Sequence, residues 1–131
     1  MFGSSKAFSS FSTNNLEKTQ EFYRNILGLN VAQEGDMALR INLASGAIIF
    51  VYEKENHVPA SFTILNFPVD DIDQAVDGLV NKGIKLERYE GFEQDNKGIM
   101  RTHDPKKGCP AAIAWFKDPA GNVLSIIQEN R

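Results

Sequence analysis

Cysteine is almost absent from this 131-residue chain: Cys109 stands alone, so no internal disulfide can form and stability has to come from burial. Histidine is nearly as scarce. His57 and His103 offer little imidazole for a metal centre or for proton transfer. No apolar run approaches the length of a membrane span, and residues 1–10 lack the cationic-then-apolar order of an export signal. An excess of positive charge is missing too. The 14 basic and 17 acidic residues are dispersed and sum to −3, which argues against a polybasic surface for nucleic acid or an anionic membrane. These absences lead us to expect a soluble, unexported cytoplasmic protein with neither nucleic acid nor membrane as a partner.

What is present is an ordinary globular composition, 42% hydrophobic, in a length that suits one domain spanning 1–131 and not two. Within it a pattern returns after 56 positions. Phe11-Ser12-Thr13-Asn14-Asn15-Leu16-Glu17 reappears in character as Phe67-Pro68-Val69-Asp70-Asp71-Ile72-Asp73, an apolar strand end running into a polar helix start. Each start leads into a helical stretch that stops near a glycine, Gly28 or Gly83, whose freedom at positive φ suits a left-handed helix end. Modules of about 1–56 and 57–131 follow.

In the first helix Leu16, Tyr23, Ile26 and Leu27 share a face; in the second Ile72, Ala75, Val76, Leu79 and Val80 do. Asn14 with Glu17, and Asp70 with Asp73, supply a capping side chain and a first-turn carboxylate. Period-two patterning predicts strands at 6–13, 29–33, 37–43, 47–53, 61–69, 85–90, 111–117 and 122–128. The expected fold is therefore α+β: two βαβββ modules forming a curved, mixed, eight-stranded sheet around a cleft, with the helices on its outer face. Alternation places Phe11, Phe67 and Phe116 under the helices. The opposite set, including Ser10, Ser12, Asn66 and Trp115, faces the concavity unless a bulge breaks the parity.

Two segments carry a family resemblance. The run from Asn15 to Leu29, with Phe22-Tyr23-Arg24-Asn25-Ile26-Leu27-Gly28-Leu29 at its end, and the terminal Trp115-Phe116-Lys117-Asp118-Pro119-Ala120-Gly121-Asn122, resemble the first-helix and last-hairpin signatures of the glyoxalase/bleomycin-resistance/dioxygenase (vicinal oxygen chelate) superfamily. The likeness covers almost the whole chain. The Asp-Pro-Ala-Gly-Asn segment also reads simply as a tight turn between two strands, so it is evidence of fold and not of chemistry.

The resemblance implies metal ligands, often His and Glu, at the start of each module's first strand and in each module's last strand. Counting from the helix starts puts Phe8 and Ile64 at the first pair of positions. Aligning Gly46-Ala47-Ile48-Ile49-Phe50 with Gly121-Asn122-Val123-Leu124-Ser125 puts Phe50 and Ser125 at the second. None is a ligand for zinc, manganese or iron, and a one-residue slip brings in only Ile49, Val51, Leu124 or Ile126. No cofactor is expected, and the reading leans away from an enzyme. The alternative is a lyase, isomerase or dioxygenase of this superfamily with displaced metal ligands.

On the inward parity Phe8, Phe50, Tyr52, Ile64, Ile113, Trp115 and Ile127 combine with Ser10, Ser12, Asn66 and Ser125 into an apolar cavity with polar handles, suited to a small aromatic or amphipathic molecule. The competing reading is that these aromatics pack on one another and fill the space. Arg40 is a candidate for an anionic group or an exposed strand arginine. The long polar connection 91–110 is a lid, with Met100 and Arg101 over the cleft mouth, or a spacer. Cys109, beside lysines but without a base, is not taken as a nucleophile. Resemblance to bleomycin-resistance proteins implies a homodimer. The expected partner is a small organic molecule in the cleft, and no catalytic residue is assigned.

Overall fold

In the computed structural model residues 1–102 and 110–129 are described, so the expectations for His103 and Cys109 lie outside the described residues. The chain divides into two compact units, Met1–Pro59 and Ala60–Arg131. Strand pairing gives one four-stranded mixed sheet in each, which makes the α+β class and the two-module plan plain.

In the first unit β1 (Ser9–Thr13) lies parallel to β4 (Ile48–Glu53), which is followed outward by β3 (Ala38–Asn42) and β2 (Asn30–Glu34), all antiparallel neighbours. Leu39, Ile41, Ile49 and Val51 are buried on one face, and Phe11 on that face meets Tyr23 with ring centroids 5.8 Å apart. The covering element is α1 (Leu16–Glu21). It continues as a π-helical turn, Phe22–Ile26, in which Leu27 N–H donates to Phe22 O at 3.0 Å. The wider turn explains why Phe22 is buried beside Tyr23, although 3.6-residue periodicity leaves it off the apolar face. The helix start is pinned by Thr13 and Thr19, whose buried hydroxyls share a hydrogen bond at 2.7 Å.

The second unit repeats the order, with β5 (Thr63–Val69) parallel to β8 (Val123–Gln128), then β7 (Ala112–Lys117) and the short β6 (Met100–Arg101). The helix α2 (Ile72–Asn81) sits over Phe116, Leu124 and Ile126, and Ile72 N–H donates to the Gln128 side chain at 2.9 Å. Both caps fall one residue later than expected. Asn15 accepts from Lys18 N–H at 3.0 Å and Asp71 from Gln74 N–H at 3.1 Å, because the extended backbone needed of a capping residue lies at the second member of each polar pair. Gly28 and Gly83 do close the helices, at φ 73° and 85°. Val80, expected in the core, is 54% exposed.

The strand expected at 85–90 is the main departure. Leu86 bridges to Phe116 and Glu87 N–H donates to Trp115 O at 2.8 Å, after which the chain leaves the sheet and returns as β6, where Met100 pairs with Ile113. These pairings are three positions apart along β7, whereas their partners are fourteen positions apart. The surplus is an excursion, held by the Gln94 side chain, which accepts from Tyr89 N–H and donates to the carbonyls of Glu87 and Gly98. Asp95 holds its far end, accepting from the Lys97 and Ile99 amides at 2.9 Å each. Gly98 has to be glycine: φ is 87°, and a Cβ there would lie 3.1 Å from that of Leu86.

Candidate functional site

In the first unit, the face of the sheet opposite α1 is set by register. Ser10 lies beside Phe50, Phe50 beside Arg40, and Ser12 beside Tyr52, so all five share that face. Phe8, just before β1, reaches the Phe50 ring edge-on, with centroids 6.3 Å apart. The aromatic surface is open: Phe8 is 64% and Tyr52 37% exposed, with Phe50 half-buried between them. Polar groups surround it. Arg40 pairs with Glu34 at 2.9 Å, a partner the sequence reading did not include, and Ser12 Oγ shares a 2.6 Å hydrogen bond with His57 Nδ1. Arg40 Nε is buried with no hydrogen-bond partner among the described residues.

In the second unit the face opposite α2 carries Trp115, Ser125, Asn66, Ile113, Ile127 and Met100, brought together by the pairings of β5, β6, β7 and β8. Ser125 Oγ donates to Asn66 Oδ1, so the two polar handles satisfy one another. Ile64 sits at a register irregularity between Thr63 and Leu65 and has no cross-strand partner, so pairing parity does not assign its face. Met100 reaches this face from β6, whereas Arg101 turns to the α2 side and meets Asp73 at 2.8 Å.

Trp115 is 8% exposed. The excursion lays Tyr89 and Phe92 against it, with centroids at 5.5 and 5.3 Å, and these two rings are themselves edge-to-face at 5.8 Å. Burial, and secondarily the Glu87 carboxylate, raises the Tyr89 pKa above its ordinary value. Sequence reasoning missed this cluster. Its signal was two aromatics, Tyr89 and Phe92, inside a stretch otherwise too polar to be core.

Strand register fixes which residues take the positions where the family resemblance implies metal ligands. Ser10 pairs with Phe50 and Asn66 pairs with Ser125; Ser10 and Asn66 are themselves 56 positions apart, so Phe50 and Ser125 occupy equivalent places. In the first unit the two positions hold the edge-on rings of Phe8 and Phe50. In the second they hold an isoleucine and a hydroxyl engaged by Asn66. This set supplies no imidazole or carboxylate and does not fit a divalent transition metal.

A model of the Glyoxalase/Bleomycin resistance protein/Dioxygenase superfamily matches residues 9–126. The "Uncharacterized protein YraH" of Bacillus subtilis (strain 168) is 32% identical over 128 residues, covering 86% of this chain and 89% of that protein. Among solved structures, the fosfomycin resistance protein FosX of Listeria monocytogenes superposes with a TM-score of 0.66 at 13% identity, covering 95% of this chain and 92% of its own. A mutant of FosX has been solved with Mn(II) and 1S,2S-dihydroxypropylphosphonic acid. TnmS3, an antibiotic binding protein from Streptomyces sp. CB03234, superposes with a TM-score of 0.60 at 22% identity, covering 95% of this chain and 96% of its own. These likenesses to solved structures show the fold. The match of the family model over residues 9–126, together with the repeated modules, establishes that this chain belongs to the glyoxalase/bleomycin resistance protein/dioxygenase superfamily.

Proposed function

We propose that this protein binds a small aromatic or amphipathic organic molecule through its exposed aromatic face, without the metal that serves catalytic relatives. The observation that carries the reading is the replacement of ligand positions by two rings packed edge-on: Phe8 and Phe50 present apolar surface where a metal-dependent member needs donors. Tyr52 extends that surface, and Ser10, Ser12 and Arg40 ring it with groups that can orient a ligand. The fold likeness to an antibiotic binding protein supports the same reading. In the second unit, taken by itself, Ile64, Asn66, Met100, Trp115 and Ser125 are a separate set of candidate contacts for such a molecule, with Phe92 having to yield before a ligand reaches Trp115.

The resemblance to bleomycin-resistance proteins supports a homodimer, and the single cysteine fits a reducing cytoplasm. Native mass spectrometry of freshly purified protein, with metal analysis of the same sample, tests the reading. The expected outcome is a metal-free protein retaining an organic adduct. Phe50→Ala should lower affinity for that molecule by about 1–3 kcal/mol, as for other buried aromatic contacts. A stoichiometric transition metal, or an adduct held equally by Phe50→Ala, overturns it.

A further inference from the structure

On the α2 side of the second sheet lies a groove of about 440 Å³ between the helix and the excursion. That volume is within the usual range for small-molecule sites. Its apolar surface is Val76 and Val80 of α2 with Ile84 and Leu86 of the following segment, and its rim carries Asp77, Lys85, Arg88 and Lys97. The charges are not balanced. Asp77 is engaged by Lys97 at 3.1 Å, whereas Lys85 and Arg88 are exposed and form no ion pair among the described residues. The helix end beside the groove makes no competing demand for a cation, because the Leu79 and Val80 carbonyls accept from the amides of Lys82, Gly83 and Ile84.

An apolar trough with two unengaged cations at its lip is complementary to a molecule with an aliphatic or aromatic body and an anionic head. We infer that this groove is a second ligand site, for a small amphipathic carboxylate, whose chain lies on Val76, Val80, Ile84 and Leu86 while its head meets Lys85 and Arg88. It shares no residue with the aromatic faces and does not depend on the function proposed for them. The exposure of Val80 is then the cost of keeping the trough open.

Octanoate, 1-octanol and octylammonium share a chain and differ in head charge, so titrating each into methyl-labelled protein separates the head from the chain. The expected result is saturable shifts of the Val76, Val80, Ile84 and Leu86 methyl signals with octanoate, weaker with octanol and weakest with octylammonium. In Lys85→Glu/Arg88→Glu, checked for folding by circular dichroism, octanoate affinity should fall about tenfold or more, as expected for lost charge-assisted hydrogen bonds. Val80→Ser should weaken all three probes while keeping their order. Equal shifts with the three probes, shifts that do not saturate, or indifference to the charge reversal overturns the site. So does a doubled mass abolished by the charge reversal, which assigns the groove to a second copy of the chain.

Discussion

Asp95 shows how much one side chain organises here. Burial raises its pKa, but the amides of Ile99 and Lys97 and the Arg101 guanidinium outweigh that effect and hold it below the ordinary 3.8. A depressed carboxyl stabilises the fold above its unfolded pKa, and that stability is lost as the pH falls through the folded value. Unfolding followed by circular dichroism should therefore show stability dropping below about pH 4, and Asp95→Asn should flatten that drop. The sequence announced none of this, because an Asp in a polar loop looks the same whether it is solvated or bonded to two amides. Trp115 was legible as facing away from α2 but not as covered, since its covering rings come from the excursion. Val80 fell on the apolar stripe of α2, yet whether the sheet reaches that far along the helix is a matter of packing.

Among the elements, the β7–β8 hairpin was the most readable and has the most explicit physical basis. Buried Asp118 accepts from Ala120 N–H and Asn122 N–H at 2.9 Å through one oxygen, and from Asn122 Nδ2 at 2.9 Å through the other, while Gly121 turns at φ 85°. Asp118→Ala removes all three acceptor contacts and should cost about 2–4 kcal/mol, read as a lower urea midpoint with an unchanged slope. The turn was legible because proline, glycine and asparagine have backbone preferences independent of the rest of the fold. The strand at 85–90 was not, because its periodicity says nothing of where an edge chain leaves the sheet. The caps were misplaced by one residue since Asn14-Asn15 and Asp70-Asp71 each offer two chemically equivalent candidates.

At the scale of the molecule, the 56-residue offset carried the reading, for it survives as equivalent pairings of Ser10 with Phe50 and Asn66 with Ser125. The two-module architecture was legible from it, and the family from segments 15–29 and 115–122; the covering of the second aromatic face was not, because the rings on Trp115 come from the excursion. A net charge of −3 and an isoelectric point near 5.4 leave little mutual repulsion in mild acid. Light scattering should accordingly show more association near pH 5.4 than near pH 7.5. The excursion bears on association in another way. By taking the chain out of register between Leu86 and Met100, it leaves the outer rim of the second sheet, among the described residues, as one bridge and a two-residue strand, too broken a row of amides and carbonyls to template pairing by a stray strand from another chain.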